Sequence, residues 1–431
     1  MMDILRIGAP KDRKRLDGLV NRRSLERDIE AWVRPILEAV RRRGDAAVVE
    51  FTRKFDGVKL SAGRLRVARR EIEAALASAS PKLVRALQAV RRNVEAYHER
   101  QRPTSWTMKG RSGAVLGERI VPLRRVAVYV PGGVAPLVST VLMGVVPATV
   151  AGVGEVVVAT PPGKRGRVAP AILAACAVCG VEEVYRVGGA QAIAALAYGT
   201  RRIPRVDKII GPGNVFVMTA KKLVYGVVGL DAPYGPSEVL VLADATADAS
   251  WVAADILSQA EHGTGHEFAV LVTTSKRLAA QVRAQIRSQL DELPALSRVR
   301  ERLERGIALV VAPSLPKAIE FVNAFAAEHV EIIARNARRL SAAVTNAGAI
   351  FIGPYSPVPV GDFAAGPSHC LPTGGAARAF SGLSVQDFVK RVGTIECSRA
   401  ALGKLAPLVE ELAEAEGLPA HARAVQVRVK R

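Results

Sequence analysis

From about residue 125 onward, short apolar runs rich in Val, Ile and Ala alternate with longer amphipathic stretches. VAVYV (126–130), EVVVA (155–159), EEVYRV (182–187) and KIIG (208–211) are short and β-branched, and they read as strands. Between and after them, helical spacing covers 138–151, 168–179, 190–197 and 215–225. This alternation predicts right-handed crossovers and a parallel sheet covered on both faces. A second series follows, with strands EVLVLA (238–243), FAVLV (268–272), IALVV (307–311), HVEIIA and AIFIG, and helices over 249–262, 278–290 and 315–327. Two such series in tandem suggest a duplication, although no sequence repeat links them.

The flanks differ in texture. Residues 1 to about 120 read as helix-rich: apolar residues recur three and four apart over 29–43 and 71–76, and Pro81 opens a third helix at a favourable first-turn position. His98 ends that helix among Glu95, Glu99 and Arg100 and reads as a solvated residue. After Ser384 the pattern predicts an amphipathic helix, a Glu-rich helix over 402–416 and a basic tail. That tail is too thin to form its own core and is expected to pack on a partner subunit.

One stretch fits neither period. GDFAAGPSHCLPTGG (361–375) is broken repeatedly by Gly and Pro yet carries Asp362, Ser368, His369, Cys370 and Thr373. Loops this long inside a folded chain are functional or disordered, and Phe363 and Leu371 argue against disorder. It is expected to form one wall of an active site.

Composition narrows the classes. A chain of 431 residues, 49% hydrophobic and 23% charged, is expected to be a globular enzyme of more than one domain. The longest apolar stretch, 135–153, is interrupted by Pro136, Gly144, Pro147 and Gly152, so no membrane span is expected. The N-terminus has no apolar core followed by a cleavage site, and the expected location is the cytoplasm. Four cysteines make no disulfide framework, and Cys176 and Cys179, spaced CxxC in an Ala-rich helix, read as packing residues. The net charge of +21 would attract polyanions, including a dinucleotide. Its Lys and Arg are scattered, however, and 5% aromatic residues offer no stacking platform, so nucleic acid is not an expected partner.

Candidate chemistry gathers in two places. Each strand of the first series runs into Gly, at PGG (131–133), PPG (161–163), GGAQ (188–191) and GPGN (211–214), where backbone amides can approach phosphate. No GxGxxG is present, so spacing alone makes a weak dinucleotide signal. In the second series, Gln259 and His262 lie three apart on one helix face. With Asp362 and His421 they would make a nitrogen and oxygen donor set suited to a catalytic zinc; by spacing alone a helical His such as His262 is more often a hydrogen-bonded core residue. Glu328 and His329 stand where a helix gives way to a strand, either as an acid/base pair or as a helix cap. Cys370, beside His369, has no identifiable base to make it a nucleophile.

The motifs YVPGG, VGGAQAIAALAYGT, KIIGPGN, GPSEVLV, DILSQAEHG, AEHVEI, GDFAAGPSHCLPTGGAAR, SGLSV and EGLPAHARAV occur in that order over essentially the whole chain. In this the chain closely resembles the histidinol dehydrogenase family. The resemblance implies an α/β fold of two tandem doubly wound, incomplete Rossmann-like parallel-sheet domains, with a helical N-terminal region and an extended C-terminal tail. Residues 1–25 would form an N-terminal extension, 26–124 and 235–382 a discontinuous catalytic domain, 125–234 the NAD-binding domain, and 383–431 an intersubunit helical tail. It also implies a homodimer with shared active sites and a zinc- and NAD-linked four-electron oxidation of L-histidinol through L-histidinaldehyde to L-histidine. A paralogue acting on another amino alcohol or diol is the alternative.

By motif match, Gln259, His262, Asp362 and His421 would hold zinc and lie at the substrate together with His329. Glu328 and His329 would be the acid/base pair, Ser237, His369 and Glu416 would contact substrate, and Tyr129, Gln191 and Asn214 would contact NAD. Histidinol is cationic, so Asp362, Glu416 and Glu328 would have to reverse the protein's positive field locally. Departures from the family pattern are Ala327, Ser368 and the GTGHEF stretch (263–268), whose His266 reads as a surface residue.

Overall fold

Two parallel sheets organise the chain, as the alternation of strands and helices predicts. The computed structural model describes residues 4–22, 29–132, 136–260, 267–293 and 306–429. In these, the strands are β1 (Ile4–Arg6), β2 (Trp106–Lys109), β3 (Val115–Pro122), β4 (Arg125–Tyr129), β5 (Glu155–Thr160), β6 (Val184–Arg186) and β7 (Lys208–Ile210). They continue with β8 (Gly229–Leu230), β9 (Glu238–Ala243), β10 (Phe268–Thr273), β11 (Ile307–Val311), β12 (His329–Ile333), β13 (Ala349–Ile352) and β14 (Val389–Glu396).

The five-stranded sheet has the order β6-β5-β4-β7-β8 and the six-stranded sheet β1-β11-β10-β9-β12-β13, every pairing parallel. With β1 set aside, each series is wound in the same sense: its first strand central, the second and third to one side, the fourth and fifth to the other. That shared order is what a duplicated unit would show. It places a topological switch point between β4 and β7 in one sheet and between β9 and β12 in the other. The central strands are buried along their length, which is why they read as continuous apolar runs.

Helices cover both faces. Pro147 stands inside the helix Val138–Val150. At Gly144 a Cβ would come within 2.6 Å of Val128 Cγ1, so this helix packs directly on β4. Val33, Ile36 and Val40 of Ile29–Arg43 join the core formed with Ile193 and Leu196, whereas Ile72, Leu87 and Val94 join the core on the other face. Thus the helices of residues 29–99, which the family resemblance groups with residues 235–382, cover the five-stranded sheet. The second series keeps two cores of its own, one on each face of the six-stranded sheet.

Three expectations are corrected. His98 is fully buried rather than solvated, with Nδ1 2.7 Å from Gln101 Oε1, and burial pushes its pKa down. No helix of that kind lies between Ser384 and the helix Arg399–Ala415: a short 3-10 turn leads into β14, which pairs antiparallel with β3 and so joins β2 in a three-stranded sheet. The helix expected over 315–327 ends at Phe325, because Ala326 adopts a left-handed conformation with φ 51°. Cys176 and Cys179 are buried packing residues as expected. No helix among the described residues is long and apolar enough to cross a membrane.

Candidate active site

The catalytic candidates lie at the amino edge of the six-stranded sheet. His329 opens β12 beside β9, where Glu238 is the first residue, so the two strands at the switch point present these residues side by side. The peptide groups of Glu238 grip both members of the candidate pair. Its N–H donates to Glu328 Oε2 at 2.8 Å, and its carbonyl accepts from His329 Nδ1 at 3.0 Å. That second bond fixes the tautomer: Nδ1 carries the proton and Nε2 is turned the other way. Nε2 lies 3.4 Å from Asp362 Oδ1, and the ring packs at 5.8 Å against Phe351.

Asp362 arrives on the short helix Val358–Phe363, at the start of the Gly- and Pro-rich loop. The loop walls a cavity of about 320 Å³, lined by His329, Phe351, Asp362, Ser368, His369 and Leu371, among others. That volume suits a small polar metabolite, at the lower end of the roughly 300–1,000 Å³ typical of ligand sites. The loop also joins the two sheets. Ser368 Oγ donates to Met143 O at 3.1 Å, and Asn93 Nδ2 donates to Ala364 O at 2.9 Å.

Burial dominates the electrostatics. It pushes Glu328 up to about 7, against the pull of His329 and of the Glu238 N–H. Burial lowers the His329 imidazole, but the Glu328 carboxylate and Asp362 outweigh it and its pKa is pushed up to about 9. Cys370 is buried and its thiol is pushed up to about 12, which leaves it no role as a nucleophile.

Gln259 is buried near the end of the helix Ala249–Ala260, which begins after β9 has ended and returns the chain toward the amino edge of the sheet. Ser237 directly precedes Glu238 and is half-buried. His262 and His266 lie outside the described residues. Glu416 and His421 are exposed on the tail, where the helix Arg399–Ala415 packs mainly on the helix Pro419–Val429. The chain does not bring them to its own cavity. Among the described residues no group of three or more His, Cys, Asp or Glu is arranged to hold a metal.

The NAD candidates lie at the carboxyl edge of the five-stranded sheet. Tyr129 Oη accepts from Gly189 N at 3.1 Å, and Gln191, two residues on, is buried with neither amide atom hydrogen-bonded. Thr160 Oγ1 is likewise buried without a partner, and a Cβ on Gly132 would lie 3.2 Å from it. Asn214 is exposed and caps the helix Val215–Leu223 by accepting from Val217 N at 3.1 Å. Tyr129 and Gly211 stand at the switch point, where a Cβ on Gly211 would come 2.2 Å from Tyr129 O.

Sequence reasoning missed Glu238, Arg22 and Glu331. Nothing in their spacing marks them; the motifs GPSEVLV and AEHVEI contain Glu238 and Glu331, whereas no motif contains Arg22.

Comparison with known proteins identifies the family. The family model for histidinol dehydrogenase matches residues 20–429. Histidinol dehydrogenase of Synechococcus sp. is 48% identical over 97% of this chain and 94% of its own length. That of Heliobacterium mobile is 46% identical over 96% and 97%. The crystal structure of histidinol dehydrogenase from Elizabethkingia anophelis superposes with a TM-score of 0.93 at 36% identity, covering 100% of this chain and 98% of that one. Motif order, fold and whole-length similarity coincide, and the chain belongs to the histidinol dehydrogenase family of oxidoreductases.

Proposed function

We propose that this chain oxidises L-histidinol through L-histidinaldehyde to L-histidine, a four-electron reaction using two NAD. The observation that carries the reading is the fixed tautomer of His329. With Nδ1–H given to the Glu238 carbonyl, Nε2 is the atom left to take the alcohol proton. His329 acts as a base only in its neutral form, so the charge of Asp362 must be met by another cation.

A divalent metal would meet it. Gln259, His262, Asp362 and a partner subunit's copy of His421 would supply an amide oxygen, a carboxylate and two imidazoles, chemistry that fits zinc. The burial of Gln259 and the aim of Asp362 into the cavity support that set. Bound zinc would orient the substrate's amine and imidazole nitrogens and lower the pKa of its alcohol.

Bound NAD would accept hydride in each half-reaction. Tyr129, Gln191 and Asn214 would hold it, and the two buried amide atoms of Gln191, with no protein partner, support that assignment. In the second half-reaction Glu328, whose buried carboxyl titrates at about 7, would take a proton from the water that adds to the aldehyde. His369, Ser237 and the partner's copy of Glu416 would anchor the substrate. The tail's exposed Leu408, Leu412 and Ile395 support docking on a second copy.

The test is purified protein with histidinol and NAD. Reduced cofactor and histidine should both appear, and loss of one without the other counts against the reading.

A further inference from the structure

Glu238 is bound at every polar group it has. Its backbone holds Glu328 and His329, and its side chain is equally committed. Arg22 Nε and Nη2 reach the two carboxylate oxygens at 2.5 and 2.6 Å, a bidentate fork with both side chains almost wholly buried. Oε1 also accepts from Gly374 N at 3.0 Å. Arg22 is itself pinned: its Nη1 donates to Phe325 O at 2.8 Å and Leu19 O at 3.2 Å, and its guanidinium stacks 3.6 Å from the Phe325 ring centroid.

These contacts join four remote pieces of chain: the N-terminal segment, the start of β9, the end of the helix before Glu328, and the loop carrying Asp362 and His369. Gly374 stands in that loop's last turn, and the neighbouring Thr373 Oγ1 accepts from Gly235 N, tying the same turn to the approach to β9. A buried ion pair is a poor source of stability against an apolar replacement, so this one calls for a reason other than stability.

We propose that Glu238, clamped by Arg22, is a positioning residue that sets the 361–375 loop in register with the Glu328–His329 pair. Arg22 thereby makes the segment before the first long helix part of the active-site scaffold. The inference rests on the reading of Glu328 and His329 as the reacting pair.

The test compares two double variants of the full-length chain. Arg22→Leu with Glu238→Leu removes both charges and the tether to Gly374, while leaving the Glu238 peptide groups in place. Arg22→Leu with Glu238→Gln removes the ion pair but keeps an oxygen for Gly374 N–H. The first is expected to keep its melting temperature while KM for histidinol rises about tenfold or more and KM for NAD moves less than about twofold. Histidinol binding followed by calorimetry should weaken in parallel. The second should recover the share of the loss owed to the Gly374 bond and retain a several-fold rise owed to the missing fork. General loosening would move both KM values and would not be rescued.

If the double Leu variant does not fold, Arg22→Lys decides, since Lys keeps the charge but cannot form the fork. A several-fold rise in histidinol KM alone supports the proposal. Parental constants in a folded double Leu variant, or in Arg22→Lys, overturn it. His329→Asn in the same series separates the two ideas: full turnover there defeats the functional reading, whereas an inactive His329→Asn beside a parental double variant defeats only the positioning role.

Discussion

His329 Nε2 lies 3.4 Å from Asp362 Oδ1, and the opposite ring nitrogen is hydrogen-bonded to the Glu238 carbonyl. The main chain therefore holds the imidazole at Nδ1, while Nε2 faces a carboxylate that only a protonated ring could bond. Replacing His329 with Asn removes the Nε2 base, because an amide cannot accept the alcohol proton. Turnover is expected to fall by about 10²–10⁴-fold with histidinol affinity changed far less. Single-turnover kinetics and calorimetry read the two quantities separately.

Asp362 is expected to matter for metal retention. Asp362→Asn keeps the shape of the side chain and removes its charge, so zinc should be lost on dialysis at chelator concentrations that leave the parent loaded. Chelation of the parent should abolish turnover, and added zinc should restore it. Metal content measured after dialysis is the readout, independent of activity.

Gly211 closes the switch point of the five-stranded sheet. Its φ of +105°, and the mere 2.2 Å that would separate an added methyl group from Tyr129 O, leave no room for a side chain. Gly211→Ala should cost roughly 1–3 kcal/mol of stability, and NAD binding should weaken because Tyr129 and the turn leading to Asn214 are displaced together. Denaturant melts and cofactor titration check the two halves of this expectation.

A carboxyl pair, Glu331 buried and Asp255 half-buried, sits behind the site. Glu331 follows His329 by two residues on β12 and accepts from Val358 N at 2.6 Å, at the start of the helix that carries Asp362. Burial pushes the neighbouring Asp255 up to about 6 from 3.8, and burial with the Asp255 charge pushes Glu331 well above its ordinary value. The folded state thus keeps protons that the unfolded chain has lost. Stability from Asp255 should be highest at low pH, fall as pH rises from about 4 to about 6, and then level off, with Glu331 extending the decline. Asp255→Asn should flatten that part of the profile, as measured by denaturant melts across pH.

Much of this was legible in the sequence. The buried parallel strands announced themselves because both faces are covered, so residues such as Val239 to Leu242 form unbroken apolar runs. The Glu328–His329 pair and the loop bearing Asp362 could be placed by element ends and by Gly and Pro. The antiparallel sheet was not legible: Val389–Glu396 is largely exposed and charged, so its pairing with β3 leaves little apolar period to read. His98 misled because its charged sequence neighbours point to solvent while its own side chain turns inward to Gln101. Arg22 looked like one more basic residue in a basic terminus, and only the fold reveals Glu238 opposite it.

The tail makes a further test of assembly. Glu416, in the turn after the helix Arg399–Ala415, and His421, on the helix Pro419–Val429, are exposed and do not reach their own chain's cavity. If a second copy receives them, His329→Asn and His421→Asn are each inactive as homodimers, yet a mixed dimer contains one intact site. Co-expressed chains bearing different tags should show about half the parental turnover per purified mixed dimer. No recovery would mean that the tail completes no partner's site.

The most direct measurement follows reduced cofactor and histidine together while the purified chain consumes histidinol. The account predicts two reduced cofactors for each histidine, with no free aldehyde accumulating. One reduced cofactor for each histidinol consumed, with aldehyde released, would contradict it.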